Sequence, residues 1–103
     1  MGAHWDTVPD SPGVDDNGSG VAAILELARA LHDGNCTNKY TIILVAFDLE
    51  ELGSDGSLQF IQDFLIPRVL SPLSGVPKSQ FQGMIVKVFS VHFYMNYYDI
   101  CTG

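Results

Sequence analysis

The apolar run over residues 41–47 is the feature that most constrains the fold. It reads Thr-Ile-Ile-Leu-Val-Ala-Phe, is rich in β-branched residues and has no polar alternation. This pattern is typical of a strand buried on both faces, as in a parallel sheet covered by helices. An amphipathic helix is predicted just before it, over residues 18–32, because apolar residues recur there at helical spacing. These are Val21, Ile24, Leu25, Ala28 and Leu31.

The order of elements predicts an α/β chain with a mostly parallel sheet. Asn17 or Ser19 can cap the first helix, and Gly34 can end it. A second helix is predicted over residues 57–65 and is followed by Pro67, a loop over 66–79 and a strand over 81–89. Alternating strands and helices joined by crossovers favour an α/β sandwich with helices packed on the sheet.

Composition excludes several classes of protein. A chain of 103 residues with 47% hydrophobic residues can form one small core and is not typical of disordered proteins. Twelve acidic residues against five basic ones give a net charge of −7, so we expect no nucleic-acid partner. No apolar run approaches the roughly 20 residues that a membrane span needs.

The cysteines and one tripeptide bear on the cellular compartment. Cys36 and Cys101 are too few for a disulfide framework, and their spacing matches no thiolate metal site. The tripeptide over residues 35–37, Asn-Cys-Thr, is an N-glycosylation sequence in a polar segment. It favours a secreted chain or one in the lumen of the secretory pathway.

Ionisable side chains cluster where the predicted strands end. His4 and Asp6 follow a short initial strand, and Glu50 and Glu51 follow the strand over residues 41–47. Ligands bind at the carboxyl ends of the strands in open α/β sheets, so a helical crossover would bring these loops to one edge. Imidazole and carboxylate are ligands that zinc accepts, and a shared carboxylate can hold two ions in a hydrolytic site.

Three motifs together make the chain resemble a known family. They are His4-Trp5-Asp6, the run Gly-Val-Asp-Asp-Asn-Gly-Ser-Gly over residues 13–20, and Phe-Asp-Leu-Glu-Glu-Leu-Gly over residues 47–53. In this order they resemble the signature of the M28 family of zinc metallopeptidases, over roughly residues 2–65. The resemblance implies a zinc-exopeptidase-like three-layer α/β/α sandwich with a mostly parallel sheet, which we expect to be partial and incomplete at both ends in this chain. It also implies two Zn²⁺ ions per site and a peptide substrate. The implied reaction is hydrolysis of a terminal peptide bond, of the aminopeptidase type.

The resemblance also implies a role for each matching residue. His4 would bind one zinc, Asp16 would bridge both ions, and Glu51 would bind the second. Glu50 would be the general base that takes a proton from the metal-bound water. Asp6 would orient His4 and raise its basicity.

The chain departs from the family pattern beyond these motifs. Family members use five metal ligands, and three are present here. Lys87 or Val88 stands where a fourth, acidic ligand is expected, and the fifth, a distal histidine, lies beyond the end of the chain. We therefore expect weak zinc binding or none, and little peptidase activity. Substitute ligands would have to come from the tail, namely His92, Asp99 or Cys101.

These departures divide the chain and leave rival functions open. We expect a partial peptidase domain over residues 1–88 and a divergent tail over 89–103. One rival is a glutaminyl-cyclase-like acyltransferase on the same fold, which the intact acidic run over residues 13–20 disfavours. The other is a non-catalytic fragment that acts by binding a partner. Trp5 could equally be buried in the core or line a substrate pocket.

Overall fold

The computed structural model of the chain describes residues 1–35 and 41–71, together with the backbone of residues 86–87. Within these residues, three strands and two α-helices form the regular structure. They are β1 (Gly2–His4), α1 (Ser19–Asp33), β2 (Val45–Phe47), α2 (Asp55–Phe60) and β3 (Val86–Lys87). Two further segments have i→i+5 hydrogen bonding. Ile61–Leu70 is a wide helical segment after α2, whereas Val14–Gly18 before α1 is a wide turn in which Asp16 and Asn17 have non-helical backbone angles.

The three strands form one parallel sheet with β1 in the centre. The strand order is β2-β1-β3, and His4 pairs with Phe47 while Ala3 pairs with Lys87. Because all three strands run the same way, their carboxyl ends lie at one edge. The predicted α/β chain with a parallel sheet is confirmed at this level, and the loops that follow β1 and β2 begin at the same edge.

Helix α1 follows the predicted helix closely. The prediction was residues 18–32, and the helix spans Ser19–Asp33. Ile24 is buried, but Leu25 is 65% exposed although the pattern placed it on the same apolar face. The residue after the helix is Gly34, as predicted, and it keeps right-handed backbone angles while its N–H donates to the Ala30 carbonyl.

The strand over residues 41–47 is shorter than predicted and is not buried on both faces. Only Val45–Phe47 pairs, because β1 offers three paired residues, and a parallel strand ends where its partner ends. Phe47 is buried, whereas Ala46 points to the other face and is exposed. Ile42, in the unpaired part of the run, is 40% exposed.

The second helix is longer than predicted at both ends. It begins at Asp55 and continues through the wide turns to Leu70, so the predicted loop is wrong for residues 66–70. Pro67 is tolerated inside this segment although it has no N–H to donate. With i→i+5 bonding, the carbonyl four residues before the proline accepts the N–H of the residue that follows the proline. The Phe60 ring packs edge-on against Phe47, with centroids 5.7 Å apart, and joins the helix to β2.

Several predictions fall on parts of the chain outside the described residues. These are most of the strand over 81–89, the tail over 89–103, and Cys36 with Thr37 of the glycosylation sequence. The division at residues 88 and 89 also stays a prediction. Among the described helices, none combines the length and the apolar character that crossing a bilayer requires.

Candidate metal centre

His4 ends β1 with its imidazole almost completely enclosed, at 2% exposure. Its Nδ1 lies 3.2 Å from the Asp6 carbonyl oxygen and 3.4 Å from the Asp6 carboxylate oxygen Oδ1. Both neighbours are hydrogen-bond acceptors, which assigns the ring proton to Nδ1. The other nitrogen, Nε2, therefore presents a lone pair to the interior of the cluster.

Two carboxylates face that lone pair. Asp16 Oδ1 lies 3.0 Å from His4 Nε2, and Glu50 Oε2 lies 3.7 Å from it. Within residues 1–35 and 41–71, neither His4 Nε2 nor Asp16 Oδ1 has a hydrogen-bond partner, and both atoms are buried. Two buried acceptors at this distance repel each other unless a cation lies between them, because unpaired buried polar atoms are costly.

The donor set fits zinc in type and spacing. One ligand atom each from His4, Glu50 and Glu51 lie within 4.8 Å of one another. Zn²⁺ binds imidazole nitrogen and carboxylate oxygen at about 2.0–2.2 Å, which places two tetrahedral donors roughly 3.3 Å apart. The distance from His4 Nε2 to Asp16 Oδ1, 3.0 Å, is slightly below that value, and the distance to Glu50 Oε2, 3.7 Å, is slightly above it. The residues present can therefore hold a zinc ion.

Asp6 connects the loop after β1 to the loop after β2. Its Oδ2 accepts a hydrogen bond from the backbone N–H of Glu51 at 3.2 Å. Partial burial works to raise the pKa of the Asp6 carboxyl. Backbone N–H groups, those of Glu51 and Glu50 first, and the nearby His4 outweigh it and leave the pKa below its ordinary value. The carboxylate is therefore ionised at neutral pH and can both orient His4 and hold the second acidic loop.

The wide turn Val14–Gly18 holds Asp16 in place. Gly13 enters it with a positive φ of 64°, a conformation that glycine adopts without strain. The next residue after Asp16, Asn17, is 1% exposed, and its Oδ1 accepts the backbone N–H of Gly20 at 3.0 Å. A Cβ at Gly20 would overlap the Asn17 amide. The residue directly before α1 is Gly18, which makes no side-chain cap, but Asn17 accepts an N–H of the first turn and Gly20 makes room for it.

A compact loop positions Glu50 and Glu51. The carbonyl of Glu50 accepts the N–H groups of Gly53 and Ser54 at 3.0 and 2.9 Å. Leu49, directly before Glu50, has a positive φ of 58°, which costs an L-residue about 1–2 kcal/mol. The loop therefore holds a strained residue beside the acidic pair.

The structure brings all five predicted site residues together. His4 lies in contact with Asp6, Asp16 and Glu50, and Glu51 lies in the same cluster. Trp5 is 67% exposed, which settles that it is not a core residue. The three residues named as replacements for missing ligands, His92, Asp99 and Cys101, are outside the described residues. At the position where an acidic ligand is expected, Lys87 is described in its backbone alone and Val88 is not described.

Sequence reasoning missed the depth to which Asn17 is buried. It treated Asn17 as one of two possible helix caps and gave it no part in holding Asp16. The available signal was the run Asn-Gly-Ser-Gly at a helix start, where a glycine three residues after the asparagine leaves space for its amide.

Comparison with known proteins decides the family. The family model described as Peptidase family M28 matches residues 1–73, which is more than half of the chain. The chain belongs to peptidase family M28. The two motifs that surround His4 and the pair Glu50 and Glu51 lie inside the matched range. Zinc is the metal on which this family generally depends, in agreement with the donor set described above.

Three curated relatives of this M28 chain are bacterial proteins named as aminopeptidases. Aminopeptidase YwaD of Bacillus subtilis is 46% identical over 59 residues, which cover 57% of this chain and 12% of the relative. The probable lipoprotein aminopeptidase LpqL of Mycobacterium tuberculosis is 47% identical over 62 residues, 59% of this chain and 12% of the relative. An aminopeptidase of Pseudomonas aeruginosa is 41% identical over 63 residues, 61% of this chain and 11% of the relative.

The M28 chain thus aligns with about an eighth of the length of these relatives. No solved structure matches it significantly.

Proposed function

We propose that this chain carries the metal-binding part of a zinc-dependent exopeptidase that removes residues from the amino end of peptides. The observation that carries the proposal is the buried, unpartnered pair formed by His4 Nε2 and Asp16 Oδ1, which face each other at 3.0 Å. The family membership and the aminopeptidase names of three relatives support the reaction class.

The proposed metal ligands are His4, Asp16 and Glu51, with Asp16 shared between two Zn²⁺ ions. Bound zinc lowers the pKa of a water molecule and polarises the scissile carbonyl. The chain's own residues prepare this chemistry. The backbone carbonyl of Asp6, 3.2 Å from His4 Nδ1, accepts the Nδ1–H and keeps the lone pair of Nε2 directed at the ion. The Asp6 carboxylate lies beside the same nitrogen through Oδ1, at 3.4 Å, and accepts the Glu51 N–H through Oδ2.

Glu50 is the proposed general base. Its carboxylate is 33% exposed, so it can contact both the buried cluster and an incoming peptide. It would accept the proton that the attacking water loses and deliver it to the leaving amine. Because Glu50 also lies close enough to His4 to act as a ligand, its role needs a direct test.

The finer fold and the domain division belong to the same proposal. We place the described parallel sheet in a zinc-exopeptidase-like three-layer α/β/α sandwich. The peptidase part is assigned to residues 1–88 and a divergent tail to 89–103. Because three of the five metal ligands that the family uses are proposed here, hydrolysis by this chain alone is expected to be weak. One relative is named a lipoprotein aminopeptidase, which agrees with a secreted or lumenal location.

The test is zinc binding measured by calorimetry on the chain and two histidine variants. With three proposed ligands we expect weak but saturable binding that His4→Ala weakens at least tenfold, since about tenfold or more is the usual effect of losing even an indirect metal contact. His32→Ala is the matched control, because His32 is exposed near the end of α1. No saturable binding, or an equal loss in both variants, would contradict the proposal.

Two further variants separate the roles of the paired glutamates. Glu51→Gln should lose zinc affinity, whereas Glu50→Gln should retain it and lose any hydrolysis of an aminoacyl anilide. An acetyl-blocked anilide is the control substrate, because an aminopeptidase requires a free amino group. If Glu50→Gln loses as much zinc affinity as Glu51→Gln, Glu50 is a ligand and the assigned general base is wrong.

A further inference from the structure

The segment that positions Asp16 contains a chemically labile sequence. Asn17 is followed by Gly18, and the backbone nitrogen of a residue after asparagine can attack the side-chain amide. Glycine makes this attack easiest because it has no side chain to hinder it. The new N–C bond closes a succinimide, the Cγ–Nδ2 bond breaks, and ammonia leaves with the proton from Gly18. Water then opens the ring to aspartate or isoaspartate.

In the folded chain both reacting groups are engaged elsewhere. The Gly18 N–H donates to the Gly13 carbonyl at 2.8 Å, so the nucleophile is held by another partner. The Asn17 amide is 1% exposed, and its Oδ1 accepts the Gly20 N–H at 3.0 Å. Water, which the second step needs, is excluded from the amide. The reaction therefore requires the segment to open.

We propose that Asn17–Gly18 is a deamidation site that the folded loop protects, and that metal release from the adjacent centre exposes it. Opening is favoured without metal because His4 Nε2 and Asp16 Oδ1 then face each other as unpaired acceptors at 3.0 Å. The proposed zinc function underlies this second part only. The protection by the fold follows from the hydrogen bonds of Asn17 and Gly18 alone.

The two products differ in their consequence. Aspartate keeps a side-chain oxygen that can still accept the Gly20 N–H, although it adds a negative charge beside Asp15 and Asp16. Isoaspartate lengthens the main chain by one carbon between Asp16 and α1. That change would displace the Asp16 carboxylate from His4 and disable the centre permanently.

The sequence allows the reaction to be followed at one position. Trypsin cleavage after Arg29 releases residues 1–29, in which Asn17 is the sole asparagine and no glutamine occurs. Residues 30–39 form the next tryptic peptide, and their two asparagines precede Cys36 and Lys39, which makes this peptide the internal control. The 103-residue chain is incubated with zinc, with EDTA, or in urea, and deamidation of both peptides is measured by mass spectrometry.

We expect deamidation of Asn17 to be at least about tenfold slower in the folded chain than in urea, because the reaction must wait for local opening. EDTA should give a rate between those in zinc and in urea. Gly18→Ala should slow the reaction in urea, which tests the chemistry without requiring the variant to fold.

Equal rates for the folded and unfolded chain would overturn the protection, and equal rates in urea for Gly18→Ala and the parent would overturn the assigned chemistry. Slow reaction in both zinc and EDTA would overturn the link to metal. Calorimetry shows separately whether the proposed zinc function is also wrong. If zinc binds but does not change the rate of deamidation, the link to metal is wrong and the zinc function is retained.

Discussion

Replacing Asp6 with asparagine should weaken the connection between the loop after β1, which follows His4, and the loop after β2, which contains Glu51. Asp6 Oδ2 accepts the Glu51 N–H at 3.2 Å, and Oδ1 lies 3.4 Å from His4 Nδ1. Asparagine has one oxygen and one NH₂ group, so in either orientation a donor faces a donor. Changes of this kind behind a metal ligand typically cost about 10–100-fold in metal affinity, or about 1.4–2.7 kcal/mol.

The same substitution should lower the free energy of unfolding. A hydrogen bond to a charged group contributes about 1.5–3 kcal/mol, and Asp6 is 18% exposed, which places the loss toward the lower end. Because the pKa of Asp6 is lowered in the folded chain, its stabilisation is present above the ordinary aspartate value of about 3.9. It is lost as the pH falls through the lower folded value, and Asp6→Asn should remove this part of the acid sensitivity.

Two measurements check these expectations. Calorimetry gives the zinc affinity, and urea unfolding between neutral and acidic pH gives the stability and its slope. Asp10→Asn is the matched control, since Asp10 is an exposed aspartate of the same loop. If Asp6→Asn binds zinc as the parent does and keeps its acid sensitivity, Asp6 does not connect His4 to Glu51 as described.

The remaining predictions concern backbone conformation, and urea unfolding measures each of them. Leu49→Gly should leave stability unchanged or raise it by up to about 1 kcal/mol, because relief of the positive φ offsets the flexibility of glycine. Leu52→Gly, the exposed control without positive φ, should cost about 0.5–1 kcal/mol; an equal loss in both would contradict the strain at Leu49. Gly56→Ala should cost about 1–3 kcal/mol because the added Cβ would overlap the rigid backbone carbonyl of Asp48. Gly34→Ala, at an ordinary φ of −74°, should gain about 0.4–1 kcal/mol, so losses in both glycine variants would count against this reasoning.

The sequence predicted the elements whose pattern is local. Helix α1 followed from apolar residues at helical spacing, and parallel pairing followed from a helix between two strands. The length of β2 could not be read in the same way, because it depends on how many residues β1 offers as partners. Pro67 predicted a helix end, but a wider hydrogen-bond pattern carries the helix past it to Leu70.

The same distinction applies to the metal centre. The residue types and the strand ends predicted that His4 would lie near the acidic residues that follow each strand, and the structure brings them together. The hydrogen bond from the Glu51 N–H to Asp6 and the positive φ of Leu49 were not predicted. Both are main-chain features, and leucine or glutamate at these positions gives no signal for them.

The central place of β1 has a consequence for the order in which the chain folds. This three-residue strand hydrogen-bonds to β2 near the middle of the chain and to β3 near its far end. Closing such long loops is entropically costly, and parallel pairings between distant segments form slowly. Strand pairing of β1 is therefore expected late in folding, and during synthesis the three-stranded sheet can be completed only after β3 has left the ribosome.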